Sequence, residues 1–117
     1  MKQPNIIAEL SFDFAIQVIK LYKQLIDKKE FVLSKQLLRS GTSIGANVEE
    51  ASAGQSKRDF ITKMAIASKE ARETRYWLRL LRESKIIQMD YAIYLDKVES
   101  IIRILTKIVK TAQTPKP

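Results

Sequence analysis

Phe31-Val32-Leu33-Ser34-Lys35-Gln36-Leu37-Leu38-Arg39-Ser40-Gly41-Thr42-Ser43-Ile44-Gly45-Ala46-Asn47-Val48-Glu49-Glu50-Ala51-Ser52 is the stretch on which the fold turns. Its middle, Ser40 to Asn47, holds two glycines and three hydroxyl residues, all poor helix formers, so local propensity alone permits a loop. The apolar spacing argues for a helix. Leu33, Leu37, Ile44, Val48 and Ala51 share one stripe, which stays in phase from Leu37 through Ile44 to Ala51 across the weak segment. A helix over residues 31–52 is therefore predicted. In it Gly41 and Gly45 lie one turn apart and offer a shallow groove to another backbone. Gln36, Ser40, Ser43, Asn47 and Glu50 form a polar stripe alongside, suited first to inter-helix hydrogen bonds and second to a ligand or subunit contact.

Outward from that segment the chain reads as three more helices. Residues 1–9 are expected to form a tail, after which Ser11 is placed to cap a helix over 11–27. Phe14, Val18, Leu21 and Leu25 form its stripe, widened by Ile19, Tyr22 and Ile26. Asp27 to Glu30 is the first turn and Ala53-Gly54-Gln55 the second. Ser56-Lys57-Arg58-Asp59 resembles a capping box with Asp in place of Glu, opening a helix over 57–85. Asp90 is expected to cap a fourth helix over 90–111, with Tyr91, Tyr94, Leu95, Val98, Ile101, Ile102, Leu105, Ile108 and Val109 apolar. Residues 111–117 are expected to be a polar tail. Short turns between four helices predict an antiparallel up-down-up-down bundle occupying residues 1–117 as one domain.

Composition agrees with an all-α fold. Only three Gly and three Pro punctuate 117 residues, and Pro4, Pro115 and Pro117 fall outside the periodic segments. With 45% apolar and 29% charged residues, the chain has material for one modest core. Cysteine and histidine are both absent. That excludes disulfides, thiol nucleophiles, imidazole catalysis and Cys/His zinc sites. No signal-peptide core and no membrane span is evident, so a cytoplasmic protein without membrane contact is expected. The net charge of +8 favours phosphates or other acidic partners.

The helix over 57–85 is patterned on three faces at about 100° per residue. Phe60, Met64, Ala67, Ala71, Thr74 and Leu78 make a core stripe. Lys57, Arg58, Lys69, Arg72, Arg75, Arg79 and Arg82 make a basic face, with Ile61 and Tyr76 interleaved. Ile66, Glu70, Glu73, Trp77 and Leu80 mix large apolar groups with carboxylates, a surface suited to another chain. Ser40, Ser43, Asn47 and Glu50 are candidates for the same subunit contact. Buried there, the glutamates would need partners such as Arg39 or Lys63. Across this helix nine Lys or Arg stand against four Asp or Glu, so positive charge is left unpaired. Tyr76 and Trp77 beside arginines could stack bases, although a lone tryptophan more often packs at an interface.

Catalytic readings fare poorly. Gly41-Thr42-Ser43-Ile44-Gly45 lacks the lysine and preceding strand of a phosphate loop. Glu70 and Glu73, with Asp96 and Glu99, form two carboxylate pairs on adjacent helices, a layout that all-α metal-dependent nucleotide pyrophosphatases exploit. However, Asp96 and Glu99 point away from the apolar sector, and Glu99 is spaced to pair with Arg103. No catalytic residue, metal or cofactor is therefore assigned.

The run from Ser34 to Ala51 resembles the signature of the four-helix-bundle proteins of the 23S ribosomal RNA intervening-sequence family. Ser56-Lys57-Arg58-Asp59-Phe60-Ile61 and Glu70-Ala71-Arg72-Glu73-Thr74-Arg75-Tyr76-Trp77-Leu78-Arg79-Leu80-Leu81 match the same pattern. The resemblance implies an antiparallel bundle that assembles into a ring-like homopentamer. It also implies kinship with the accessory variability protein of diversity-generating retroelements, a basic pentamer that binds nucleic acid and a reverse transcriptase. Arg72, Arg75 and Arg79 place the chain toward the basic end of that family. The expected function is a non-enzymatic, homo-oligomeric accessory protein binding RNA or a DNA–RNA hybrid. The alternative is a scaffold whose arginines meet an acidic partner such as a reverse transcriptase.

Overall fold

Ile7, Ser11, Phe14, Val18, Leu21 and Leu25 recur at alternating intervals of four and three residues, and all are buried. They carry the first helix, α1, over Lys2–Asp27 in the computed structural model, which describes residues 2–115. The helix thus begins well before the expected start at residue 11. Ser11 is not its cap. The stripe continues through Ser11 back to Ile7, and the Ser11 hydroxyl donates to the Ala8 carbonyl at 3.3 Å inside the helix. Pro4, expected in a tail, lies in the first turn, where a missing N–H breaks no intrahelical bond. The expected tail positions Met1, Lys116 and Pro117 lie outside the described residues.

The first turn is tightly specified. Lys29 adopts a left-handed φ of 66°, which lets the Glu30 N–H donate to the Leu25 carbonyl and the Lys29 N–H to that of Ile26, both at 2.9 Å. Glu30 is thereby turned inward, and its carboxylate accepts from the N–H groups of Val32 (2.9 Å), Leu33 (3.1 Å) and Ser34 (2.7 Å). These are orphan donors of α2, which spans Leu33–Ser52. The α2 helix is continuous through its glycine-rich middle. There Thr42 and Ser43 hydroxyls donate to the carbonyls of Leu38 (2.8 Å) and Arg39 (2.6 Å).

Ser56 caps α3, Lys57–Ser84, its hydroxyl accepting from the Asp59 N–H at 3.1 Å as the spacing predicts. Lys85, at φ 57°, ends that helix in the left-handed region. The α4 helix, Ala92–Gln113, begins two residues later than expected, with the Asp90 carboxylate accepting from the Ala92 N–H at 2.9 Å. Among the described residues there are four helices and no strand. Cross-contacts ascend one helix as they descend the next: Ser40 to Thr74 and Glu50 to Lys63, then Arg72 to Thr106 and Arg75 to Glu99. Each helix packs against its sequence neighbours, and α4 closes on α1 along the sparsest seam. The molecule measures 53 × 22 × 20 Å.

The groove expected at Gly41 and Gly45 is filled by α1. A Cβ on Gly41 would come 2.8 Å from Cγ1 of Val18, and one on Gly45 would come 3.3 Å from the Ser11 carbonyl oxygen. Ile19 stands about 100° round α1 from Val18 and so falls outside the seam. It is 44% exposed rather than buried as expected. Tyr91, between α3 and α4, is buried and donates its hydroxyl to the Ile87 carbonyl at 2.8 Å. Burial, and next the charge of Glu30, push its phenol pKa up.

Two outcomes are expected. Gly41→Ala should destabilise the fold by about 1 kcal/mol, since overpacking costs about 1–3 kcal/mol and helix propensity returns about 1. Urea denaturation should show Val18→Ala costing less in the Gly41→Ala background than in the wild type. Glu30→Gln should lower stability by about 2 kcal/mol, the scale of charged hydrogen bonds to buried backbone donors. An unchanged urea midpoint would show that water can replace that carboxylate.

Candidate nucleic-acid interface

Helix α3 treats its charges differently on its two flanks. Toward α2 its carboxylates are consumed. Arg39 of α2 pairs with Glu70 at 3.2 Å and with Glu73, and Glu73 also accepts from the Trp77 indole N–H at 3.0 Å. Lys63 pairs with Glu50 at 2.7 Å. Burial opposes the charge on Arg39, but the hydrogen bonds and charges of Glu73 and Glu70 outweigh it and raise its pKa. The expected need of Glu70 and Glu73 for Arg39 is thus met inside one chain, while Lys63 serves Glu50 instead.

Toward α4 the same helix presents cations. Arg75 pairs with Glu99 at 2.7 Å, and Arg82 pairs with its neighbour Glu83 at 2.6 Å. Lys57, Arg58, Lys69, Arg72 and Arg79 are all exposed and have no carboxylate partner among the described residues. Arg72 donates to the Thr106 hydroxyl at 3.2 Å, which places it over the α3–α4 groove. Ser68, Thr106, Lys110 and Gln113 line that groove with it. Lys110 therefore joins the basic face, beyond the residues expected there. The i, i+4, i+7 spacing of Thr106, Lys110 and Gln113 shows that they share a face of α4, but not that this face borders the α3 arginines.

Glu99 does not take Arg103, the partner its spacing suggested. Arg75 reaches it across the seam instead, and Arg103 donates to the Ser100 hydroxyl at 3.2 Å. The carboxylate pairs do not converge on one point, since Glu70 and Glu73 face α2 while Glu99 lies on the opposite flank of α3. Among the described residues no group of three or more His, Cys, Asp or Glu is placed to hold a metal.

The residues expected at a subunit contact divide into satisfied and open groups. Ser40 is fully buried and hydrogen-bonded to Thr74 at 2.9 Å, so it belongs to the α2–α3 seam and not to the surface. Ser43 and Asn47 are half-buried and bond within their own helix, to the carbonyls of Arg39 and Ser43 respectively. Glu50 is exposed and held by Lys63. Trp77 and Leu80 are half-buried, and Ile66 is 37% exposed. A longer apolar stripe lies on α1, where Phe12, Ile16 and Ile19 follow one another at i, i+4 and i+7 in the open. No helix among the described residues is long and apolar enough to cross a membrane.

Because Glu73 joins Arg39 to the only tryptophan, Glu73→Ala should shift Trp77 emission to the red. The stability loss should stay at about 1 kcal/mol, since the ion pair is half-exposed and screened. An unmoved emission spectrum would show that packing alone holds the indole.

Sequence and structure comparisons agree with this architecture. The model of a family described as 23S rRNA-intervening sequence protein matches residues 3–107. A crystal structure of a protein of unknown function, from the S23 ribosomal protein family of Bacteroides thetaiotaomicron, superposes with a TM-score of 0.88 at 46% identity. The match covers 92% of this chain and 98% of that one. None of the curated proteins matches it in sequence. With the family pattern running from the first turn of α1 into the last turns of α4, the chain belongs to the 23S rRNA-intervening sequence protein family.

Proposed function

We propose that this chain is a non-enzymatic nucleic-acid-binding protein of the cytoplasm, assembled from several copies, that presents its α3–α4 face to RNA or a DNA–RNA hybrid. The partition of charge on α3 carries the reading. Arg39 holds Glu70 and Glu73 on one flank, which leaves Lys57, Arg58, Lys69, Arg72 and Arg79 on the remainder without carboxylate partners among the described residues. Unpaired arginines and lysines at helical spacing suit a row of phosphates, giving salt-dependent and weakly sequence-selective binding. The absence of catalysis is supported by the ion pairs that already occupy Glu70, Glu73 and Glu99. The family description makes ribosomal RNA the first probe to try.

Assembly is supported by two separate apolar strips. Phe12, Ile16 and Ile19 lie on α1, while Ile66 and Leu80 lie on the margin of α3. Unlike strips on different faces suit a head-to-tail contact, which gives a ring where the rotation between neighbours closes and a filament where it does not. The pentamer implied by the family resemblance is one such ring, and its repeated basic faces would add avidity.

Fluorescence anisotropy of a labelled structured RNA across a salt series tests the binding half. Wild-type affinity should fall steeply with salt. Lys69→Glu/Arg72→Glu/Arg79→Glu should weaken binding and flatten the slope by about 0.7–0.9 for each phosphate no longer neutralised. No binding at low salt, or a variant indistinguishable from wild type, would contradict the proposal. Light scattering should give a multiple of 13.5 kDa, and a 13.5 kDa particle would remove the assembly half.

A further inference from the structure

We infer that Tyr76 is a stacking platform for an unpaired base, which makes the α3 face a reader of single-stranded nucleic acid rather than of duplex. The inference rests on the nucleic-acid reading above and narrows its ligand. Tyr76 is 53% exposed on the outward side of α3. Arg72 lies four residues before it and Arg79 three residues after, so both share its face of the helix. Both arginines are exposed and lack a carboxylate partner among the described residues.

The ring is braced from one side. Tyr76 and Trp77 meet in an edge-type contact, with ring centroids 5.3 Å apart and planes inclined at 68°. The indole is anchored by its N–H to Glu73 at 3.0 Å, and Glu73 is anchored by Arg39 of α2. An edge-type contact covers at most one face of a phenol ring, and the half-exposed ring is flanked by Arg79 and by Arg72, whose guanidinium is engaged among the described residues by the neutral Thr106 hydroxyl at 3.2 Å. A side chain ordered before binding loses less freedom when a ligand arrives. A duplex keeps its base faces within its own stack and would meet only the cations. An unpaired base can lie on the phenol while its flanking phosphates meet Arg72 and Arg79.

The test compares a labelled single-stranded oligoribonucleotide with the same sequence annealed into a duplex, at one salt concentration. Wild type should favour the single strand. Tyr76→Ala should weaken single-strand binding by about 5- to 150-fold, the range of one base–aromatic stack, and leave duplex binding within about twofold. Tyr76→Leu, which keeps apolar bulk, should behave like Tyr76→Ala, while Tyr76→Phe should restore binding. Single strand, but not duplex, should quench the emission of Trp77, the sole tryptophan. Equal weakening on both ligands, no weakening on either, or equal wild-type affinity for both would overturn the stacking role while leaving the phosphate-binding reading intact. If wild type binds neither ligand, the underlying nucleic-acid reading fails and this inference fails with it.

Discussion

The seam between α1 and α2 closes because residue 41 has no side chain. Val18, fully buried and β-branched, stands where a Cβ on Gly41 would lie, and one turn further along α2 the Ser11 backbone takes up the space at Gly45. A β-branched side chain has few rotamers into which to retreat, so the register of the two helices is fixed at that contact. The arrangement has two consequences. Ser11, a small residue, occupies a core position that a larger side chain could not share with α2. On the opposite side of α1 the seam with α4 is sparse, and the amide oxygen of Gln17, which lies near Lys97 and Ser100, is buried without a partner among the described residues.

On that scaffold α3 acts as a divider of charge. Arg39 reaches both Glu70 and Glu73, and through Glu73 the network extends to Trp77. A half-exposed ion pair adds little stability, so its value here is in orientation and in the removal of carboxylates from the neighbourhood of the arginines. The cations on the α4 side then have fewer partners than their number requires. Arg75 and Arg82 are the exceptions, Arg82 paired with its neighbour Glu83 and Arg75 tied to Glu99 across the seam, where it helps to pack α3 on α4.

Periodic apolar residues made α2, α3 and α4 legible in the sequence, including the glycine-rich middle of α2, where the stripe through Ile44 outweighed local propensity. The Ser56 cap and the claim of Glu70 and Glu73 on Arg39 were also legible, because both follow from helical spacing and charge. The start of α1 was not. Ser11 reads locally as a cap, and only tertiary contact with Gly45 shows it as a core position in phase with Ile7. Glu30 likewise reads as one more charge in a polar turn, since its inward path depends on the left-handed Lys29. Contacts across helices were the other gap. Spacing along α4 favoured Arg103 for Glu99, but Arg75 of α3 lies closer, and Lys110 joined the basic face only once α3 and α4 were set side by side.

The central claim is that nucleic acid meets the α3–α4 face and avoids the α2–α3 face, where the carboxylates are held. Photo-crosslinking of the protein to 4-thiouridine-labelled RNA, with adducts mapped by mass spectrometry, tests this most directly. The account predicts adducts at Lys69 to Arg79 of α3 and around Lys110 of α4. Adducts confined to α1 and α2, or spread evenly over every exposed lysine and arginine, would contradict it.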